Sequence, residues 1–186
     1  MINEIVRDMH LAGNSYKISS IVEEFIFNCV KEYFCDYKVS YQENYALVDS
    51  KNQSKNLFTT KFKHKPRKRR FDIVIEKNNK KHIIEIKHQT GGGTAIDSVG
   101  IYLEDMEKLK EYTGTGNPVS IMVLDFLPCG IYKNGTWDKK ETFVEMASTQ
   151  TRFNEFAEDQ DVLVLLSDTY DKELFEMFFD AVKERL

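Results

Sequence analysis

Phe71-Asp72-Ile73-Val74-Ile75 and Ile83-Ile84-Glu85-Ile86-Lys87 are the two stretches that decide the fold of this chain. Both are apolar, and the polar segment from Glu76 to Lys81 joins them, so together they read as a β-hairpin. Asp72 opens the first strand, while Glu85 and Lys87 interrupt the second. Residues two apart in a strand point to the same side, so Glu85 and Lys87 share one face, and Ile84, Ile86 and His88 take the other. A carboxylate and an ammonium inside an apolar strand are costly unless paired or bound to something. Asp72 and Glu85 offer oxygen ligands for a hard divalent cation, Mg2+ by preference. Lys87 is then placed to orient or deprotonate a water, or to stabilise charge developing on a phosphate.

Working outward, Ile18, Ile21, Val22, Phe25, Ile26, Cys29, Val30 and Tyr33 recur at a helical period. They predict a helix from Ile18 to about Phe34, with Ser19 or Ser20 near its start as a cap. Glu23 and Glu24 lie on it; Glu23 falls nearer the border of the apolar stripe. Residues 37–48 read as a strand, and Leu57 to Phe62 as a short extended segment. After the hairpin come Gln89-Thr90-Gly91-Gly92-Gly93-Thr94, a glycine turn without the lysine-containing continuation of a P-loop. Thr94 is placed to cap a helix over Ala95 to Tyr112, ended by Gly114 to Pro118. Val119 to Phe126 and Val162 to Leu166 read as buried strands, and Lys172 to Leu186 as a final helix with Leu174, Phe175, Phe178, Phe179 and Val182 facing the core. Residues 127–160 carry a turn at Lys133-Asn134-Gly135 and a short helix around Arg152 to Glu158. This order predicts an α/β fold, a central mixed β-sheet flanked by α-helices, in a single domain over residues 1–186.

Composition narrows the function classes. Hydrophobic residues make up 41% and charged residues 30%, which describes a globular chain and excludes global disorder. No apolar run has the length of a transmembrane helix, and the start of the chain lacks the pattern of a signal peptide, so a cytoplasmic protein without membrane partners is expected. Cys29, Cys35 and Cys129 form no metal-binding pair, and the histidines lack zinc-ligand spacing. The net charge of −4 conceals an asymmetry. Residues 61–70 hold seven Lys or Arg in ten positions, whereas residues 151–186 hold ten Asp or Glu against four Lys or Arg. The basic run, with Lys63, Lys65, Arg67, Lys68, Arg69 and Arg70, is expected to contact the phosphates of a nucleic acid.

Asp72 followed by Glu85-Ile86-Lys87, behind a helix bearing an acidic residue, resembles the PD-(D/E)xK nuclease superfamily. The continuation through Gln89-Thr90-Gly91-Gly92-Gly93-Thr94-Ala95 is similar to a segment of small type II restriction endonucleases. The likeness covers residues 18–125, with its decisive part in 71–95; Phe71 stands where the name motif has proline, and Asp97-Ser98 where some members have Glu-Lys. The resemblance implies a restriction-endonuclease-like sheet, Asp72 and Glu85 as metal ligands, Lys87 as the catalytic lysine, Glu23 as the helix carboxylate and Gln89 as the glutamine that follows the lysine. It also implies an Mg2+-dependent DNA endonuclease, with Mn2+ able to substitute, cutting a short sequence of double-stranded DNA. Cleavage of both strands suits a homodimer, and a restriction enzyme suits a separately encoded cognate methyltransferase. Two further classes fit the same residues: a Holliday-junction or other structure-selective nuclease, and a nuclease-like DNA-binding module that no longer cuts.

Overall fold

A computed structural model describes residues 1–46, 68–88, 119–124, 126, 131–133, 136–138, 154–155, 158 and 162–186. A five-stranded sheet organises them, in the order β1-β2-β3-β4-β7: β1 (Lys38–Ala46), β2 (Lys68–Lys77), β3 (Lys80–His88), β4 (Val119–Leu124) and β7 (Leu163–Ser167). β1 with β2 and β2 with β3 pair antiparallel, whereas β3 with β4 and β4 with β7 pair parallel, so the sheet is mixed. A separate small two-stranded sheet pairs β5 (Ile131–Lys133) antiparallel with β6 (Thr136–Asp138); Asn134 and Gly135 of the turn read at Lys133-Asn134-Gly135 lie outside the described residues.

The helices are α1 (Ile2–Leu11), α2 (Ile18–Tyr33) and α3 (Lys172–Glu184). α2 buries Ile18, Val22, Ile26 and Val30, one residue per turn, and half-buries Ile21, Phe25, Cys29 and Tyr33 beside them. That is the stripe its sequence predicts. Its start differs: a 3-10 turn over Ser15–Lys17 leads directly into Ile18, and no side chain caps the helix. α3 is capped as its sequence allows, Asp171 Oδ1 accepting from the N–H groups of Glu173 (2.9 Å) and Leu174 (3.2 Å). Phe175, Phe178, Phe179 and Val182 face the core, but Leu174 keeps 37% of its surface exposed, because it falls one position outside the buried arc. α1 was not foreseen. Its signal was present in Ile2, Ile5, Val6 and Met9, although only Ile2 and Val6 are fully buried.

All three helices pack on one face of the sheet, against Ile73, Ile75, Ile84, Ile86, Met122, Leu124 and Leu165. Each such side chain contributes about 1.5–3 kcal/mol when fully buried. The opposite face carries Val74, Ile83, Val119, Ile121 and Val123, which are buried as well. β4 is therefore apolar on both sides, as a central strand of a covered sheet must be, whereas β3 is so only around Ile83 and Ile84. Glu85 and Lys87 belong to this second face.

The β2–β3 hairpin closes more tightly than expected. Its turn is Asn78-Asn79 alone, with φ of 53° and 64°, the left-handed pair of a type I′ turn whose twist matches the flanking strands. β2 also begins earlier, at Lys68, so that the end of the basic run is part of the strand and Asp72 lies mid-strand. The predicted helix over Ala95 to Tyr112, the glycine turn, Gln89 and the extended segment at Leu57 lie outside the described residues. No helix among the described residues is long and apolar enough to cross a membrane.

Candidate functional site

Strand pairing is interrupted at Asp72 on both sides. Toward β1, Tyr41 faces Ile73 and Glu43 faces Phe71, and the intervening pair of Gln42 with Asp72 is missing. Toward β3, the ladder stops at Ile73 with Ile84, one step short of pairing Asp72 with Glu85. Hydrogen-bonded pairs alternate along an antiparallel ladder. Beyond Ile73 and Ile84, the next such pair would join Phe71 to Ile86. Instead the Ile86 N–H donates to Asp72 Oδ2 at 2.8 Å. An acceptor of that N–H must lie near the sheet plane, so the Asp72 carboxylate is turned into the gap between the two strands.

Glu85 is only 3% exposed and lies across that gap, facing Ile121 of β4 on its other side. Lys87 follows two residues later on the same face, half-buried and opposite Val123. The hairpin thus brings together Asp72, Glu85 and Lys87 on adjacent strands in the order their spacing predicts. His88 points to the opposite face, where its ring lies 5.9 Å from that of Phe126. Burial pushes its pKa down to about 4 and leaves the imidazole neutral.

Glu23 approaches from α2. It is half-buried, whereas Glu24 is exposed. Burial, then the charge of Asp72, raises the Glu23 pKa above the ordinary carboxylate value; hydrogen bonds from Gln42 and Tyr41 and the charge of Arg70 oppose that rise. The helix carboxylate and Asp72 are therefore within electrostatic reach of each other. Glu23 Oε2 accepts from Tyr41 Oη (3.3 Å) and from Gln42 Nε2 (3.2 Å). Burial, then the neighbouring Glu23, raises the Tyr41 pKa and keeps its hydroxyl protonated as a donor. Tyr41 and Gln42 escaped sequence reasoning. Nothing in residues 37–48 signals that Gln42 adopts a left-handed backbone, with φ of 52°.

Arg70, exposed and two residues before Asp72, is the one side chain of the basic run that the structure describes; Lys68 and Arg69 are placed as backbone within β2, opposite Ala46 and Tyr45. Lys63, Lys65 and Arg67 lie outside the described residues, as does Gln89. At the far end of the hairpin Glu76 Oε2 is paired with Lys38 (3.1 Å) and Lys81 (3.8 Å), so that carboxylate serves the sheet itself.

The donors near the strand gap are carboxylate oxygens, the chemistry a hard cation requires. Among the described residues, no three His, Cys, Asp or Glu side chains converge into a metal cluster. The fit is to an ion held by a carboxylate pair that retains waters, which is how Mg2+ is commonly bound.

Fold and residues together define an α/β protein with a mixed five-stranded sheet and an acidic break between two of its strands. No protein-family model matches the chain, and no curated protein matches it at a significant level. Among solved structures it is similar to a protein of unknown function, AF1548, with 10% identity and a TM-score of 0.42 over 86% of this chain and 66% of that one. It is also similar to protein VC1899 from Vibrio cholerae, with 16% identity and a TM-score of 0.44 over 92% of this chain and 34% of that one. The chain thus spans about two thirds of the length of the first and about one third of the second.

Proposed function

We propose that this chain is an Mg2+-dependent DNA endonuclease with a restriction-endonuclease-like core. The observation that carries the proposal is the hydrogen bond from Ile86 N–H to Asp72 Oδ2, which marks the gap between β2 and β3 that Glu85 borders and Lys87 follows. Among the described residues, pairing between β2 and β3 stops where Asp72 and Glu85 would stand across from each other. A sheet built only for stability gains nothing from that loss.

Asp72 and Glu85 would hold the cation, Mg2+ or Mn2+, with Glu23 on α2 adding negative charge beside Asp72. When bound, such an ion compensates phosphate charge and acidifies a coordinated water. Lys87 supplies a positive charge beside the phosphate, or accepts a proton from the attacking water. Water adds to phosphorus as the bond to the 3′ oxygen breaks, leaving a 5′-phosphate and a 3′-hydroxyl. Arg70 and the basic residues before it hold the DNA backbone through phosphate contacts. Cutting both strands of a duplex calls for two sites, which a homodimer supplies.

Digestion of plasmid and branched DNA with Mg2+, against Ca2+ or EDTA, tests the proposal. Discrete fragments from the plasmid that Asp72→Ala and Lys87→Ala fail to produce are expected of a restriction-type enzyme, and selective cutting of the branched substrate identifies a structure-selective nuclease. DNA binding with no Mg2+-dependent hydrolysis overturns the enzymatic proposal in favour of a binding module.

A further inference from the structure

We propose that Gln42 and Tyr41 are positioning residues that hold the Glu23 carboxylate beside Asp72, so that its negative charge reinforces the carboxylate pair proposed for the cation. The inference rests on the nuclease proposal above and adds to it a part that chain residues outside the hairpin perform.

Neighbouring residues of a regular strand point to opposite faces. Tyr41 and Gln42 are neighbours, yet both donate to the same atom, Glu23 Oε2, and Gln42 Nε2 also donates to Tyr41 Oη at 3.1 Å. The left-handed backbone of Gln42 makes this possible, because it removes that residue from the alternation. A left-handed conformation is uncommon for glutamine, and such departures concentrate where the surroundings impose them. This one falls opposite Asp72, at the missing rung of the β1–β2 ladder.

Electrostatics give the clamp a purpose. Glu23 is half-buried and feels the negative charge of Asp72, so an untethered side chain would swing toward water. A lysine or arginine could hold it, but would neutralise the charge a cation needs. A phenol and a carboxamide hold it without adding charge. Both hydrogen bonds go to Oε2, so neither occupies Oε1. Tyr41 is itself fixed by its ring, 5.0 Å from that of Phe27 on α2.

Two substitutions separate the clamp from the fold. Gln42→Gly keeps a residue suited to the left-handed backbone and removes the amide; Tyr41→Phe keeps the ring packing and removes the hydroxyl. Mn2+ binding, followed by electron paramagnetic resonance on the full chain without DNA, is expected to weaken about 10-fold in either variant, the scale set by groups that orient metal ligands. Melting temperatures should stay near that of the parent. In a Glu23→Gln background the same substitutions should cost nothing further, because there is no carboxylate left to hold. The Gln42 side-chain amide resonances should also shift in Glu23→Gln with no metal present. Unchanged Mn2+ affinity in both variants, or an equal loss in the Glu23→Gln background, overturns the clamp while leaving the nuclease proposal standing. A parent chain that takes up no Mn2+ and cuts no DNA overturns the nuclease proposal, and the clamp with it.

Discussion

Asp72 occupies the place of a backbone carbonyl: its Oδ2 accepts the Ile86 N–H at 2.8 Å where the β2–β3 ladder ends, and the proposed function gives the same carboxylate a second role at the cation. The two roles separate by substitution. Asp72→Asn retains an acceptor for Ile86 and is expected to melt near the parent temperature while losing Mg2+-dependent cleavage. Asp72→Ala loses both, and its unsatisfied N–H should cost about 1–3 kcal/mol in urea unfolding. Equal stability of the two variants would show that the hydrogen bond contributes nothing.

Lys87 is expected to act on the phosphate rather than on the cation. Lys87→Ala should leave Mn2+ affinity within about twofold and lower the single-turnover cleavage rate by roughly 10²–10⁴, the range for loss of a positioned proton-transfer or charge-stabilising group. A variant that cleaves at the parental rate sets the lysine aside.

The buried histidines give the fold a defined acid sensitivity. Burial depresses the pKa of His82 to about 3, with the charge of Arg185 a smaller contributor, and that of His88 to about 4. Both are neutral in the folded chain, whereas in the unfolded chain they take up protons near pH 6.5. Their contribution is complete above that value and is lost as pH falls, until the folded pKa is passed. Each histidine should lower stability by about 1.4 kcal/mol per pH unit between about pH 6 and 4. Urea unfolding at pH 7, 6 and 5 measures the slope, and His88→Phe should reduce it by one proton's worth.

Arg70 is expected to touch DNA phosphate. Arg70→Ala should weaken binding evenly across sequences and reduce the slope of log affinity against log salt by about 0.9. Filter binding or fluorescence anisotropy between 50 and 200 mM salt provides the reading, with Ca2+ in place of Mg2+ to prevent cleavage. An unchanged slope removes Arg70 from the interface.

The parts of the fold legible in sequence were those with one strong period. Ile18, Val22, Ile26 and Val30 announce α2, the apolar runs around Asp72 and Glu85 announce β2 and β3, and Val119 onward announces β4. That Asp72 and Glu85 lie on adjacent strands of one hairpin followed from the apolar runs, because register across a short turn is a local matter. What escaped was set by tertiary contact. α1 is held by two fully buried residues and by Asn3, which bonds Thr169 and Tyr170 far along the chain. The bonds of Tyr41 and Gln42 to Glu23 depend on a left-handed glutamine, which no composition or period encodes. Leu174 sat on the predicted stripe but lies outside the arc that meets the core.

The Asn78-Asn79 turn has a kinetic consequence. It places Asp72 and Glu85 within one hairpin, a unit that forms in about 1–10 μs, whereas joining β4 in parallel to β3 requires a crossover over residues 89–118. The two acids therefore meet before most of the sheet exists. Under the proposed function, Mg2+ added during refolding should therefore favour the hairpin before β4 pairs with β3.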